Sequence, residues 1–481
     1  MGRKDWIALF AGFFLFIVLI LLPPPAGMEH NAWYMFAVVM LVAVWWITEP
    51  IPLCVTALLP IVLLPVLGIV DAEKVTLSYA NEVIYLFLGG FMFALAMERS
   101  QLHYRFALHT IRLIGGSPRR LILGFMIATY SLSMWVSNTA TVLMMIPITI
   151  ALTNQIVSGG LQERADNKHA RNFSKALYLS IAYSASIGGI ATLIGTPPNI
   201  VLASMVKQTE GIDITFAQWM LFAFPLTLVL LFITWVLLTR VIFPIGNYHI
   251  PVDRTVVRKE ISTLGRMTIY EKRVLLLFSC VAFLWIFRGV IDIPFFTKKI
   301  TDTTIAIAGA VLLFILPSGQ GESDRLLNWS SAKKLPWDIL LLFGGGLALS
   351  SGFSASGLST FIIGQIEALG NINLWALVAI VAGIILFLTE IMSNTATATL
   401  FIPIMLSIGS AMDILPLMLA IPVTIAASGA FMLPAATPPN AIVFSYGYVT
   451  IREMASAGIF MNIIALVLIT LFSMLLIPGI F

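Results

Sequence analysis

The residues best placed to do chemistry in this chain carry no charge. Ser-Asn-Thr-Ala-Thr stands at 137–141 and again at 393–397, and Thr-Pro-Pro-Asn at 196–199 and again at 437–440. Hydroxyls and carboxamides supply donors and neutral oxygens. That set suits a hard cation, which takes oxygen ligands, and an anion held by N–H and O–H groups. Each Pro-Pro interrupts an apolar segment. A proline inside a helix removes a hydrogen bond and clashes with the preceding turn, costing about 3 kcal/mol or more. The helix therefore breaks and restarts, with Thr196 or Thr437 as N-cap and Pro197 or Pro438 at the first helical position. At each SNT tip, Ser or Asn caps a returning half-helix in the same way. Four helix N-termini result, each worth about 0.3–1 kcal/mol toward an anion, and up to roughly 2 when partly buried. Ser133 lies one turn before Ser137, and Thr389 one turn before Ser393. Each pair is expected to face one side of its half-helix and add hydroxyls to a cation site.

The elements that position these groups must cross a membrane. The 481 residues are 59% hydrophobic and 10% charged, against about 25% charged in soluble domains. Apolar runs long enough to span a bilayer recur, as at 6–22, 219–243 and 459–481. The first has no small-residue cleavage site before Pro-Pro-Pro, so it is expected to be a retained helix rather than a signal peptide. Cys54 and Cys280 lie far apart and suggest neither a disulfide framework nor a metal site. The five histidines form no HExxH, and the net charge of +4 follows topology rather than nucleic acid.

Lys and Arg sort the loops into two sides. Loops 1–5, 112–120, 158–175, 240–273, 317–336 and 448–455 hold 20 of the 27 basic residues, and are assigned to the cytoplasm. Loops 23–31, 71–82, 207–218, 292–300, 370–373 and 411–416 hold four: Lys74, Lys207, Lys298 and Lys299. This puts the N-terminus in the cytoplasm and the C-terminus outside, in the plasma membrane (the inner membrane of a bacterium). Residues 121–157 then enter and leave on the cytoplasmic side, as a re-entrant hairpin with its tip at 137–139. Residues 374–410 form its mirror image from the outside, with the tip at 393–395. Irregular backbone at that depth must be buried in protein or line a wet cavity.

The halves repeat. SNTATVLMMIPI (137–148) and SNTATATLFIPI (393–404) agree at 8 of 12 positions. LFLGG (86–90) pairs with LLFGG (341–345), and IGTPPN (194–199) with AATPPN (435–440). Opposite orientation of the halves makes this an inverted repeat, a signature of secondary transporters, which hold sodium on unwound carbonyls where the halves meet. The expected architecture is all-α and polytopic, with eleven spans and two re-entrant hairpins. Spans are predicted at 6–22, 32–48, 53–70, 83–112, 176–208, 219–243, 273–291, 301–316, 337–369, 416–447 and 453–480. The domains read as an N-terminal helix (1–31), a first repeat (32–243), a basic interfacial segment (244–272) and a second repeat (273–481).

MWVSNTATVLMMIPI with LIGTPPN, and LTEIMSNTATATLFIPI with ATPPN, resemble the two motif pairs of the divalent anion/sodium symporter family, the carriers of dicarboxylates, citrate and sulfate. The resemblance covers essentially the whole chain. It implies a homodimer with a scaffold and a mobile transport domain that work as an elevator. It implies one sodium site at Ser133, Ser137, Asn138 and the Gly195 carbonyl, and another at Thr389, Asn394 and the carbonyls near Met392 and Ala436. The substrate carboxylates are implied at Asn138, Thr139, Asn394 and Thr395, with the Thr196–Pro198 and Thr437–Pro438 regions. Sodium is the coupling ion, no other cofactor is called for, and C4-dicarboxylates such as succinate or malate are the expected cargo. The family also includes sodium-independent dicarboxylate or tartrate exchangers and carriers of citrate or sulfate, and these stay open.

An enzyme is a poor reading, because the tip serines have no histidine or lysine near them and the acids within spans are scattered. Glu390 is an intramembrane acid, read either as a proton or cation ligand or as a charge that stiffens the hairpin. Glu98–Arg99 and Arg288–Asp292 read as structural pairs, Glu49 as a solvated turn, and 251–273 as a membrane-surface helix.

Overall fold

Prolines, and backbone forced into the left-handed region, decide where helices stop. The computed structural model describes residues 2–114, 117–158, 166–245, 255–288, 300–319, 321, 324–367 and 373–481. In the first half, α1 (Arg3–Leu21) packs along α2 (His30–Thr48). Trp33 Nε1 donates to Leu19 O (2.7 Å), which ties the pair near Pro23–Pro25. Glu49 ends α2 with φ 47°. The predicted span 53–70 is two short helices, α3 (Leu53–Thr56) and α4 (Leu59–Val66), since Pro60 at the start of α4 cannot continue the first. After α5 (Ala72–Ser78), the predicted span 83–112 also divides, into α6 (Glu82–Arg99) and the amphipathic α7 (Leu102–Ile114). The break falls at Gln101, φ 59°. Next come α8 (Pro118–Ser133) and α9 (Asn138–Ser158), joined by a turn at 134–137, then α10 (Asp166–Ile190), α11 (Pro197–Thr209) and α12 (Phe216–Val236). A π-helical segment, Leu237–Ile242, prolongs α12.

The second half opens with α13 (Thr255–Leu264), α14 (Ile269–Phe287), α15 (Asp302–Ile315) and α16 (Trp329–Ala332). The predicted span 337–369 is α17 (Trp337–Ala355) and α18 (Leu358–Glu367), broken at Gly357, whose φ of 77° favours glycine. Then come α19 (Leu374–Leu388) and α20 (Asn394–Ala411), joined by a turn at 389–393, α21 (Leu417–Ala427), α22 (Pro438–Ser445) and α23 (Ile451–Ile480). Among the described residues there is no strand, only an isolated bridge between Pro317 and Arg325. Seven helical stretches there are long and apolar enough to cross a membrane.

Two apolar cores organise the chain. One gathers α1–α5 with α17 and the start of α20 (Trp46, Phe353, Met392, Leu400). The other surrounds α8, α10, α12, α21 and α23. Ion pairs between helices have other partners than sequence neighbours suggest. Arg99 reaches Asp324 (2.7 Å) rather than Glu98, and holds that loop carboxyl below the usual carboxylate range. Arg288 reaches Asp302 (2.9 Å), and Asp292 lies outside the described residues. Arg105 joins α7 to Glu271 of α14 (2.7 Å) and to the carbonyls that end α13. Arg254, the side chains of Arg258 and Lys259, and loop residues 159–165, 292–299 and 370–372 also fall outside the described set.

Candidate functional site

Residues 137–139 and 393–395, predicted as hairpin tips, and both helix breaks line one cavity of about 610 Å³. Its wall includes the first residues of four helices: Asn138 of α9, Pro197 of α11, Asn394 of α20 and Pro438 of α22. Four sets of N–H groups and partial positive charges therefore face one space. Of the predicted substrate residues, Asn138, Thr139, Thr196, Asn394, Thr395, Thr437 and Pro438 line it. Pro198 does not: it is buried one position further into α11, and Pro197 takes the wall. Of the predicted cation residues, Ser137, Asn138, Gly195, Met392, Asn394 and Ala436 line the cavity, while Ser133 and Thr389 are fully buried and outside its lining.

Those two buried hydroxyls do not pair with the serines one turn on. Helix α8 ends at Ser133, and a turn intervenes before α9, so Ser133 meets Asn138 instead. Ser133 Oγ lies 2.6 Å from Asn138 Oδ1 and 2.7 Å from the Ala185 carbonyl. Thr389 Oγ1 repeats this, 2.9 Å from Asn394 Oδ1 and 2.7 Å from the Ala427 carbonyl. A hydroxyl has one proton, which serves two acceptors only as a weaker, shared bond. One proton among three oxygens leaves a repulsive contact that a small cation relieves. The residues present therefore fit a cation at each place. The carbonyls of Ala185 and Ala427 carry no side-chain signal, so sequence reasoning missed them.

Backbone crowding fixes the first of these places. A Cβ on Gly189 would stand 2.6 Å from Asn138 Oδ1, and one on Gly195 would stand 2.5 Å from Gly189 O. The last residue of each TPPN acts inside the protein. Asn199 Nδ2 donates to the carbonyls of Gly189, Ile190 and Thr192 (3.2, 3.2 and 2.7 Å). Asn440 Nδ2 does the same for Ala430 and Leu433 (both 3.1 Å). Each asparagine clamps the frayed end of the preceding half-helix.

Glu390 is 4% exposed. Its oxygens accept from the N–H groups of Phe431 (2.8 Å), Met432 (2.9 and 3.0 Å) and Leu433 (3.1 Å), and from Asn462 Nδ2 (3.0 Å). No basic side chain pairs with it among the described residues. The acid stiffens the broken segment beside the hairpin through backbone donors rather than through a charge partner. Capping differs between halves too. Ser137 Oγ accepts from Ala140 N (3.3 Å) and Thr437 from Asn440 N (3.4 Å), but Ser393 and Thr196 make no such bond.

Phe87 and Phe91 of α6 add apolar wall, and two carboxylates complete the cavity: exposed Glu49 at the end of α2 and exposed Asp338 at the start of α17. Among the described residues, no Lys or Arg lines it. Glu49 was legible only as a turn, from the prolines on either side of Ile51.

A model of the sodium:sulfate symporter transmembrane region matches residues 3–478. The chain belongs to that family. This makes it a multi-pass membrane transporter and not an enzyme. The sodium-dependent dicarboxylate transporter SdcS of Staphylococcus saprophyticus is 42% identical over 477 residues, 98% of this chain and 91% of the relative. The protein of that name from Staphylococcus aureus is 43% identical over 468 residues, covering 97% and 90%. Two solved structures share the fold at low identity. MtrF of Neisseria gonorrhoeae, described among antimetabolite efflux pumps, superposes with a TM-score of 0.58 at 15% identity, covering 97% of this chain and 96% of that one. The YdaH transporter of Alcanivorax borkumensis gives 0.50 at 12%, covering 99% and 97%.

Proposed function

We propose that this family member couples sodium to the import of C4-dicarboxylates such as succinate or malate. The observation that carries the reading is the single cavity on which four helix N-termini open beside two doubly engaged hydroxyls. One sodium ion binds among Ser133 Oγ, Asn138 Oδ1 and the Ala185 and Gly195 carbonyls, with Ser137 close by. The second binds among Thr389 Oγ1, Asn394 Oδ1 and the Ala427 carbonyl, with the carbonyls near Met392 and Ala436. The substrate carboxylates lie against Asn138, Thr139 and Thr196 on one side and Asn394, Thr395, Thr437 and Pro438 on the other. Two sodium charges offset a dianion, so the loaded site is close to neutral when it moves through a low-dielectric medium. The name sodium-dependent dicarboxylate transporter, borne by relatives over nearly their whole length, supports this cargo and this coupling ion.

The repeated order of broken helix, hairpin and broken helix supports an inverted repeat of 32–243 and 273–481, with α1 preceding and 244–272 on the cytoplasmic surface. We propose eleven spans and two hairpins, in a homodimer whose transport domain moves as an elevator past the scaffold. With the N-terminus inside and the C-terminus outside, Glu49 and Asp338 stand at the cytoplasmic mouth, and the cavity described here is inward-open. Their carboxylates then favour release of a dianion into the cell.

The test is uptake of radiolabelled succinate into proteoliposomes, with and without an inward sodium gradient. Sodium-dependent accumulation in empty vesicles, abolished by Asn138→Ala and by Asn394→Ala, is the expected outcome. Uptake only into vesicles preloaded with succinate, indifferent to sodium, would make the protein an exchanger and remove both cation sites.

A further inference from the structure

A second cavity, of about 1080 Å³, lies away from the first, where the start of α10, the end of the π-helical segment and the start of α23 meet. One wall is cationic. Lys175 is neutralised by Glu453 (2.5 Å), but Lys168, Arg171 and Arg452 are exposed and have no acidic partner among the described residues. The facing wall is apolar, from Val241 to Phe243, and Val241 is 62% exposed. Exposed Ile451 stands next to Arg452 at the start of α23. A π-helical segment widens its turn and is frequently found at a functional site. Here it delivers the apolar wall and ends at Ile242, two residues before Pro244, whose carbonyl accepts from Asn172 Nδ2 of α10 (3.1 Å).

We propose that this cavity binds the phosphate headgroup of an anionic phospholipid, with an acyl chain lying on Val241 and along α12. A free anion needs only the cationic wall; the apolar wall that opens beside it suits an amphiphile. Basic pockets between spanning helices on the cytoplasmic side take such headgroups. Two of the three elements that form the cavity run on to residues that support the first cavity. Helix α10 carries the Ala185 carbonyl and Gly189, and α23 carries Asn462, which holds Glu390. A lipid bridging their cytoplasmic ends ties together the supports of both candidate cation places.

Native mass spectrometry of the purified full chain tests this, with phosphatidylglycerol or phosphatidylcholine of identical chains and neither sodium nor dicarboxylate added. The reading therefore stands or falls independently of transport. Phosphatidylglycerol is expected to be retained over phosphatidylcholine. Arg171→Gln with Arg452→Gln weakens its retention about thirtyfold, about fivefold for each charge removed. The paired Arg→Lys changes preserve it, and the two single glutamine variants keep the test decisive if the double variant fails to fold. Equal retention of both lipids, or unchanged retention by the variants, would overturn the proposal. So would displacement of the lipid by millimolar inorganic phosphate, which would make this a site for free anions.

Discussion

The two helix breaks share the letters TPPN and are held in different ways. In the first half the unwound stretch is 191–196, between α10 and α11, and a neutral clasp suffices: Thr192 Oγ1 donates to the Met134 carbonyl (2.5 Å). In the second half it is 428–437, between α21 and α22, and a carboxylate takes three successive N–H groups. The longer break exposes more backbone donors inside the protein, and each must be satisfied. Glu390 occupies the second-half position that corresponds to Met134, one residue after the buried hydroxyl. Packing compensates in the other direction. The first break is fixed by the close approach of Gly189 to Asn138 and of Gly195 to Gly189, whereas Ala430 and Ala436 stand at the matching positions of the second. The first place is held by close approach and the second by a carboxyl clasp.

The largest expected effect breaks that contrast at the clasp. Glu390→Ala strands three N–H groups and the Asn462 amide, at roughly 1–3 kcal/mol each, whereas Thr192→Val costs about 1 kcal/mol. Heating each variant in detergent and following monodisperse protein by size exclusion compares them; equal losses would mean that the halves are supported alike. Next is crowding. Gly189→Ala should push Asn138 aside and raise the sodium concentration for half-maximal uptake about tenfold, while Ala430→Gly leaves it near the parent value. If the two changes act equally, close approach is not what fixes the first place.

Ser133→Ala and Thr389→Val sharpen the comparison by removing what the halves share. Each should weaken sodium activation about tenfold and make its dependence on sodium less steep, the effect of losing one charge-bearing contact. A variant with unchanged sodium activation would strike that hydroxyl from its site. Caps come next. Ser137→Ala and Thr437→Val should each cost about 1 kcal/mol in thermal stability, with little change for Ser393→Ala or Thr196→Val. The smallest effect concerns the mouth. Glu49→Gln and Asp338→Asn, one acid from each half, should each shift the KM for succinate about twofold at low salt, and less as salt rises.

Much of this was legible in the letters because its causes are local. Paired prolines had to break α10 from α11 and α21 from α22, and the turns at 134–137 and 389–393 fall a few residues before the predicted tips, whose last two residues already belong to α9 and α20. The breaks at Gln101 and Gly357 were missed, since neither stands beside a proline and the apolar pattern continues past both. The pairing of Ser133 with Ser137 failed because helical spacing was carried past the end of α8. Ala185 and Ala427 contribute only backbone oxygen, which no residue type announces. Glu390 was visible as an acid in an apolar hairpin. Its partners at 431–433 and 462 are remote in sequence, so its role as a clasp needed coordinates.

The most direct test of the central claim counts sodium at the two places separately. Proteoliposomes containing the parent, Ser133→Ala or Thr389→Val protein would be assayed for succinate uptake across a range of sodium concentrations. Cooperative activation in the parent, with cooperativity reduced in both variants, is the result expected of two sodium sites sharing one substrate cavity. Sodium-independent uptake, or cooperativity lost in one variant and intact in the other, would contradict a cation at each half.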